Sequence, residues 1–240
     1  MLFRSKVPLV NWSPQQDAAL RAVSDWLKNR PSQVFRLFGF AGTGKTTLAK
    51  HLAKQSDGTV LFGAFTGKAA MVMHAKGCTG ASTIHSMIYR LEDEEARTPS
   101  FVLNHSSDLK DAALCIIDEC SMVDEELGRD LLSFKTPVLV LGDPEQLPPV
   151  KGAGFFTGSD PNFMLTEVHR QARDNPIIRM SMDVREGRGL QPGDYGESAI
   201  IARADIDADM ALTADQVLVG RNLTRRNYNA RLRHLQGYDG

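Results

Sequence analysis

Residues 39–46 read Gly39-Phe40-Ala41-Gly42-Thr43-Gly44-Lys45-Thr46, which satisfies the pattern G-x-x-x-x-G-K-[ST] at every position. The text on either side turns this match into a constraint on folding as well as on chemistry. Residues 34–38 are a short apolar run, and Leu48, Ala49, Leu52 and Ala53 then recur at helical spacing, which predicts strand, glycine loop and helix in that order. In that setting glycines let backbone N–H groups turn inward onto phosphate, and the helix N-terminus adds positive potential. Lys45 would reach the β- and γ-phosphates of a nucleotide, and the Thr46 hydroxyl would hold Mg²⁺. ATP and Mg²⁺ are therefore the expected ligands, with Gly39, Gly42, Thr43, Gly44, Lys45, Thr46 and the adjoining Thr47 as binding positions.

Further short apolar runs at 59–65, 113–117 and 137–141 are separated by helical or polar text. Strands that alternate with helices imply a parallel α/β sheet. Ahead of them, Ala18, Ala19, Ala22, Val23, Trp26 and Leu27 recur at helical spacing behind Ser13, a good N-cap, so a first helix is expected over 14–28. The run at 114–117 ends in Asp118-Glu119, where an aspartate at the mouth of the sheet can hold Mg²⁺ and a glutamate can position or deprotonate the attacking water. The next run ends in Gly142-Asp143-Pro144-Glu145-Gln146-Leu147-Pro148-Pro149. Parallel strands deliver their C-terminal ends to one edge, so Gln146 is placed to sense a γ-phosphate; standing alone, the same string would read as a proline-rich turn.

Composition excludes several alternatives. With 42% hydrophobic and 24% charged residues the chain reads as an ordinary folded protein. Its 240 residues allow one large domain and part of a second. Cys78, Cys115 and Cys120 are too few and too irregular for a disulfide framework or a zinc site, which fits buried structural cysteines and a reducing, cytoplasmic compartment. No stretch is apolar for the length a membrane span needs, so no membrane partner is expected. A net charge of −1 offers no global attraction to nucleic acid, and any such binding must come from local placement of basic residues.

Asp118-Glu119-Cys120-Ser121 followed by the segment from Gly142 to Pro149 resembles motifs II and III of superfamily 1 helicases, and within them the RecD/Dda-like, 5′-to-3′ group (superfamily 1B). The resemblance extends from about Ser13 to at least Arg233. It implies a RecA-like P-loop NTPase fold: an α/β parallel sheet flanked by helices, with a small insertion and a partial second RecA-like domain. It also implies an ATP hydrolase that acts as a helicase or translocase on single-stranded DNA. Lys45, Glu119, Gln146 and Arg170 are then the catalytic candidates.

Other roles follow from the same resemblance. Gln16 stands where the family reads adenine, although Ser13 and Gln16 also form the S-x-x-Q pattern of a capping box. Thr66-Gly67-Lys68-Ala69-Ala70 resembles motif Ia, and Thr83-Ile84-His85-Ser86 the DNA-facing segment after it, which makes Thr66, Lys68, Thr83 and His85 DNA-contact candidates. The same hydroxyls are equally suited to capping helices. Leu165-Thr166-Glu167-Val168-His169-Arg170-Gln171 resembles motif IV and marks Arg170 as an arginine finger, a group that can supply roughly 10³ to 10⁵ in rate; its alternative is a surface arginine on a basic stretch.

Residues 89–111 are polar and acidic, a solvated insertion by composition and a strand-separating subdomain by resemblance. Glycines and a proline over 152–162 suggest a boundary between a first motor domain, 1–160, and an incomplete second one, 161–240. Beyond it, an apolar segment at 163–165, helices at 175–185 and 224–235 and a strand at 216–219 are expected. Arg221, Arg225, Arg226, Arg231 and Arg233 could track phosphates or form one solvated face. Residues 196–240 carry no T-x-H-x-x-Q-G-like segment and no second arginine motif, so the expectation is an N-terminal part that lacks motifs V and VI. The leading reading is an ATP-dependent 5′-to-3′ DNA helicase of bacterial or phage origin, with single-stranded DNA and replication, repair or recombination proteins as partners. The alternatives are a truncated module that binds ATP and single-stranded DNA without unwinding, and a P-loop ATPase that acts on a protein or small molecule.

Overall fold

The structure, a computed structural model, describes residues 11–92, 100–150, 152–168 and 174–238. The chain divides into two compact units, Met1–Asp174 and Asn175–Gly240.

The first unit begins with α1 (Pro14–Asn29), and its start is built as the sequence suggests. Ser13 is the N-cap, Pro14 supplies a preset φ at the first helical position, and Ser13 and Gln16 form a reciprocal capping box. Strand β1 (Val34–Gly39) leads through the glycine loop into α2 (Lys45–Gln55). There follow β2 (Val60–Ala64), α3 (Gly67–Ala75), β3 (Ser82–Thr83), α4 (Ile84–Ile88), and the strands β4 (Tyr89–Leu91) and β5 (Phe101–Leu103). The unit is completed by β6 (Leu114–Asp118), α5 (Glu125–Ser133), β7 (Val138–Gly142) and β8 (Phe163–Leu165).

Six of these strands form one parallel sheet in the order β3-β2-β6-β7-β1-β8. Its central strands are buried on both faces, which explains why they read as continuous apolar runs. In β6, Leu114 and Ile116 join the core cluster beneath α1, α2 and α3, while Cys115 and Ile117 join the cluster on the opposite face with Ile84, Ile88 and Leu131. Alternation of side chains along a strand thus feeds two cores from one sequence run. All three cysteines are buried free thiols, and burial pushes Cys115 and Cys120 up to about 12, so they are neutral core residues.

The sequence expectations are met for the P-loop unit and differ in three places. The boundary expected near 160 falls later. β8 pairs with β1 through Leu37↔Phe163 to Gly39↔Leu165, so 163–165 is the edge strand of the first sheet. A three-residue strand after a glycine-rich loop carries too little pattern to show this in advance. The second difference concerns 89–111. Residues 93–99 lie outside the described set, but β4 and β5 form an antiparallel hairpin, and a short 3₁₀ turn at Asp108–Asp111 buries Leu109 completely. The Tyr89 hydroxyl donates to Asp130 Oδ2 at 2.5 Å, which fastens the hairpin to α5. The segment is therefore docked on the core at both ends.

The second unit contains α6 (Pro176–Arg185), the antiparallel pair β9 (Gly193–Tyr195) and β10 (Ser198–Ile200), α7 (Ala208–Thr213) and α8 (Asn222–Leu235). The expected helices at 175–185 and 224–235 are present as α6 and α8. The strand expected at 216–219 is not: this stretch has no regular secondary structure and no ladder among the described residues, and Leu218 is 82% exposed. An apolar run becomes a strand only where another edge accepts its backbone groups. The β9–β10 hairpin, centred on a turn with Gly196 at φ 74°, was not anticipated.

Leu109 tests whether the 89–111 segment is part of the core. Leu109→Ala should cost about 2–5 kcal/mol in urea unfolding, as for other fully buried leucines. A loss within about 0.5 kcal/mol, the scale of surface changes, would return the segment to the status of a solvated loop.

Candidate nucleotide and magnesium site

The site lies along the edge of the sheet where β1, β6 and β7 end. β7 stands between β1 and β6 in the sheet, so the loop that follows it projects between the P-loop and the Asp118-Glu119 pair.

The glycine loop is shaped by its glycines. Gly42 and Gly44 adopt φ 77° and 85°, and Gly44 is the N-cap of α2 with no side-chain cap, which directs the helix N-terminal N–H groups toward a ligand. At Gly39 the requirement is space: a Cβ there would lie 2.7 Å from Leu165 Cβ and 2.9 Å from Thr43 Oγ1. Thr43 is buried, its hydroxyl donating to Phe40 O at 2.9 Å and its own carbonyl accepting from Gln16 Nε2 at 3.0 Å. The Lys45 ammonium donates to Gly39 O at 2.6 Å and Phe40 O at 3.0 Å, so its positive charge sits within the curve of the loop.

Across from it, Thr46 Oγ1 donates to Asp118 Oδ2 at 2.9 Å. A hydroxyl and a carboxylate held together at the N-terminus of α2 are hard oxygen donors that fit Mg²⁺, which usually keeps most of its waters and takes few protein ligands. Among the described residues there is no cluster of three or more His, Cys, Asp or Glu side chains that could hold a metal by themselves. The other oxygen of Asp118 accepts from Glu119 N at 2.9 Å.

Glu119 adopts a left-handed backbone, φ 54° and ψ 48°, which is uncommon for a residue with a side chain. Burial raises its pKa first, with the charges of Asp118 and Asp143 adding to the rise; Lys45 and a hydrogen bond from the Gln146 side chain act in the opposite direction. Gln146 therefore stands close to the glutamate, on the loop that follows β7. The loop itself is braced by Asp143, 2% exposed, whose carboxylate accepts from Glu145 N at 3.1 Å and whose carbonyl accepts from Gln146 N at 3.1 Å.

The structure therefore brings Gly39, Gly42, Thr43, Gly44, Lys45, Thr46, Asp118, Glu119 and Gln146 to one edge. Thr47 is exposed on the first turn of α2. Gln16 is a capping-box residue that also supports the P-loop, its Oε1 accepting from Ser13 N at 3.1 Å. Thr66 and Lys68 line one cleft together with Thr46, Asp118 and Glu119, so these motif Ia positions lie beside the candidate magnesium ligands. Lys76 lines the same cleft and was missed, because nothing in its local sequence distinguishes it from a surface lysine at a helix end.

Thr83 and His85 belong to a different groove, shared with Ser86, Tyr89 and Phe101; the His85 ring meets Phe65 edge-on at 6.0 Å and lies tilted against Tyr89 at 5.9 Å. Both threonines do cap helices, Thr66 accepting from Ala69 N and Thr83 from Ser86 N. Arg170 lies outside the described residues.

Comparison with known proteins agrees with this arrangement. The family described as AAA domain matches residues 11–204. The ATP-dependent RecD2 DNA helicase of Deinococcus radiodurans is 33% identical over 168 residues, covering 66% of this chain and 22% of that protein. The ATP-dependent DNA helicase dda of Enterobacteria phage T4 is 33% identical over 191 residues, covering 72% of this chain and 42% of that protein. The chain thus spans less than half the length of either relative. Bacteroides Pif1 bound to single-stranded DNA shares the fold at TM-score 0.53 and 23% identity, over 75% of this chain and 47% of that one. The same helicase in complex with ADP-AlF3 and single-stranded DNA does so at TM-score 0.52 and 21% identity, over 89% and 56%. The chain belongs to the AAA domain family, and its motifs and relatives set it among the RecD/Dda-like helicase proteins of superfamily 1B.

Proposed function

We propose that this chain is the ATP-binding part of a 5′-to-3′ DNA helicase motor that couples hydrolysis of ATP to movement on single-stranded DNA. The observation that carries the reading is the meeting of three strand ends. Thr46 donates to Asp118 Oδ2 at 2.9 Å, and Gln146 stands near enough to Glu119 to lower its pKa, so groups suited to phosphate, metal ion and attacking water share one edge.

In this reading the P-loop N–H groups and Lys45 bind the phosphates, and Thr46 and Asp118 hold Mg²⁺. The metal ion, when bound, neutralises phosphate charge. Glu119 orients the attacking water and accepts its proton, a role that its raised pKa favours. Gln146, on the loop after β7 and beside that carboxylate, would sense the γ-phosphate. Arg170 is assigned as the arginine finger. Gln16, engaged with Ser13 and Thr43, would meet the adenine through the same amide. Thr66 and Lys68 are assigned to the DNA backbone, and Thr83 and His85 to DNA at the second groove, whose lining also includes Tyr89 and Phe101. Met1 to Asp174 and Asn175 to Gly240 are assigned to a first motor domain and part of a second. No helix among the described residues is long and apolar enough to cross a membrane. A place in the bacterial cytoplasm beside replication, repair or recombination proteins accords with relatives from a bacterium and a phage.

ATP hydrolysis by the chain should rise on addition of single-stranded oligonucleotide. Glu119→Gln should abolish it, and Arg170→Ala should lower it by roughly 10³-fold or more. Nucleotide and DNA binding without any stimulated turnover would instead identify a binding module.

Glu119 should also mark stability. Its pKa is raised in the folded state, so the favourable contribution is complete below the ordinary value of 4.5 and is lost as pH rises through the folded value. Glu119→Gln removes that loss. Its unfolding midpoint should match the unaltered chain near pH 4 and exceed it near pH 8, which a thermal melt across about four pH values would read. A variant less stable than the parent at the higher pH would contradict the assigned environment.

A further inference from the structure

Next to Gln16, at the start of α1, Gln15 makes a set of contacts for which the motifs provide no role. Its Oε1 accepts from the backbone N–H groups of Thr166 and Glu167, both at 2.9 Å. Its Nε2 donates to Thr166 Oγ1 at 3.0 Å and to Met164 O at 3.3 Å. A primary amide has two acceptor positions and two donors, and all four are used on one short stretch of chain. The pattern also fixes the orientation of the amide, since two N–H donors face one end and two acceptors the other. Ser13 adds a fifth tie by donating to Glu167 Oε2 at 2.8 Å.

That stretch is the exit of β8, and it is bound to the P-loop as well. Phe40 N donates to Leu165 O at 3.1 Å, and the contact has no slack, because even a Cβ on Gly39 would lie 2.7 Å from Leu165 Cβ. Gln16 meanwhile donates to the P-loop at Thr43 O. Two consecutive glutamines on one rigid helix start thus hold the two walls of a junction. Gln16 grips the P-loop, Gln15 grips the end of β8, and the walls touch through Phe40 and Leu165. The first compact unit ends at Asp174, so the chain that leaves this junction is the covalent route toward the second unit.

We propose that Gln15 is a positioning residue that locks the exit of β8 to the P-loop, so that nucleotide bound at the P-loop is felt by residues 164–168. The inference rests on the nucleotide reading of the site. It assigns Gln15 no contact with nucleotide: the residue acts through Thr166 and Glu167.

The test compares hydrogen–deuterium exchange of a peptide covering 164–168 in the unaltered chain and in Gln15→Met, with and without ADP and Mg²⁺, alongside titration with a fluorescent ADP analogue. In the unaltered chain ADP should slow exchange of the Thr166 and Glu167 amides. In Gln15→Met those amides should exchange faster, and the ADP-dependent slowing should disappear, while affinity for the analogue stays within about twofold, or about 0.4 kcal/mol. A purely structural glutamine would lower the melting midpoint and leave the ADP response intact, which would overturn the inference. So would an unaltered chain that binds the analogue with no change at 164–168. Failure of the unaltered chain to bind the analogue would remove the nucleotide reading itself, and the inference with it.

Discussion

The parallel ladder that joins β1, β7 and β6 is the element on which the site depends. Val34↔Val138 through Phe38↔Gly142 fixes β7 against β1, and Cys115↔Val138 through Ile117↔Val140 fixes β6 against β7. All three strands run the same way, so their ends bring a glycine loop, an acidic pair and a glutamine-bearing loop to one edge. Side chains alternating to the two cores hold that register, because a slip by one residue would exchange the contents of both cores. The positions of Lys45, Asp118 and Gln146 are therefore set by the packing of Leu, Ile and Val residues that never meet a ligand.

At that edge the charges are arranged under tension. Asp118 and Asp143 are 8% and 2% exposed, and Glu119 stands beside them with its pKa raised. Buried carboxylates are costly unless hydrogen-bonded or paired with positive charge. Here Thr46 and the Glu119 amide satisfy Asp118, the Glu145 amide satisfies Asp143, and the Lys45 charge acts on Glu119. A divalent cation at Thr46 and Asp118 would add positive charge where the protein has an excess of negative charge, which is the electrostatic case for magnesium there. The left-handed backbone at Glu119 belongs to the same arrangement, since strained geometry at a strand end is tolerated where surrounding structure over-determines it.

Much of this was readable from residue order. The P-loop, the strand ending in Asp118, the strand ending in Gly142 and the helices at 14–28, 175–185 and 224–235 all carry long or specific patterns, and they are where the sequence puts them. What escaped was set by partners distant in the chain. β8 is three residues long and is defined by its ladder to Gly39 and its neighbours. Leu109 is one apolar residue in polar text, yet it fills the core. Residues 216–219 have a strand composition and no ladder. Gln15 matches neither of the patterns that mark Gln16, and only the position of β8 shows that the two face different walls. Lys76 likewise acquires significance only because α3 returns it to the cleft of Thr46 and Asp118.

The central claim is that one edge of the sheet binds nucleotide with magnesium through groups from separate strands. Calorimetric titration of the chain with a slowly hydrolysed ATP analogue, in Mg²⁺ and in EDTA, tests it most directly when repeated with Thr46→Ala and Asp118→Asn. Binding that is stronger in Mg²⁺, with that advantage lost in both variants although they lie on different elements, is the predicted result. Equal affinity with and without Mg²⁺, or a magnesium dependence unchanged in both variants, would contradict the claim.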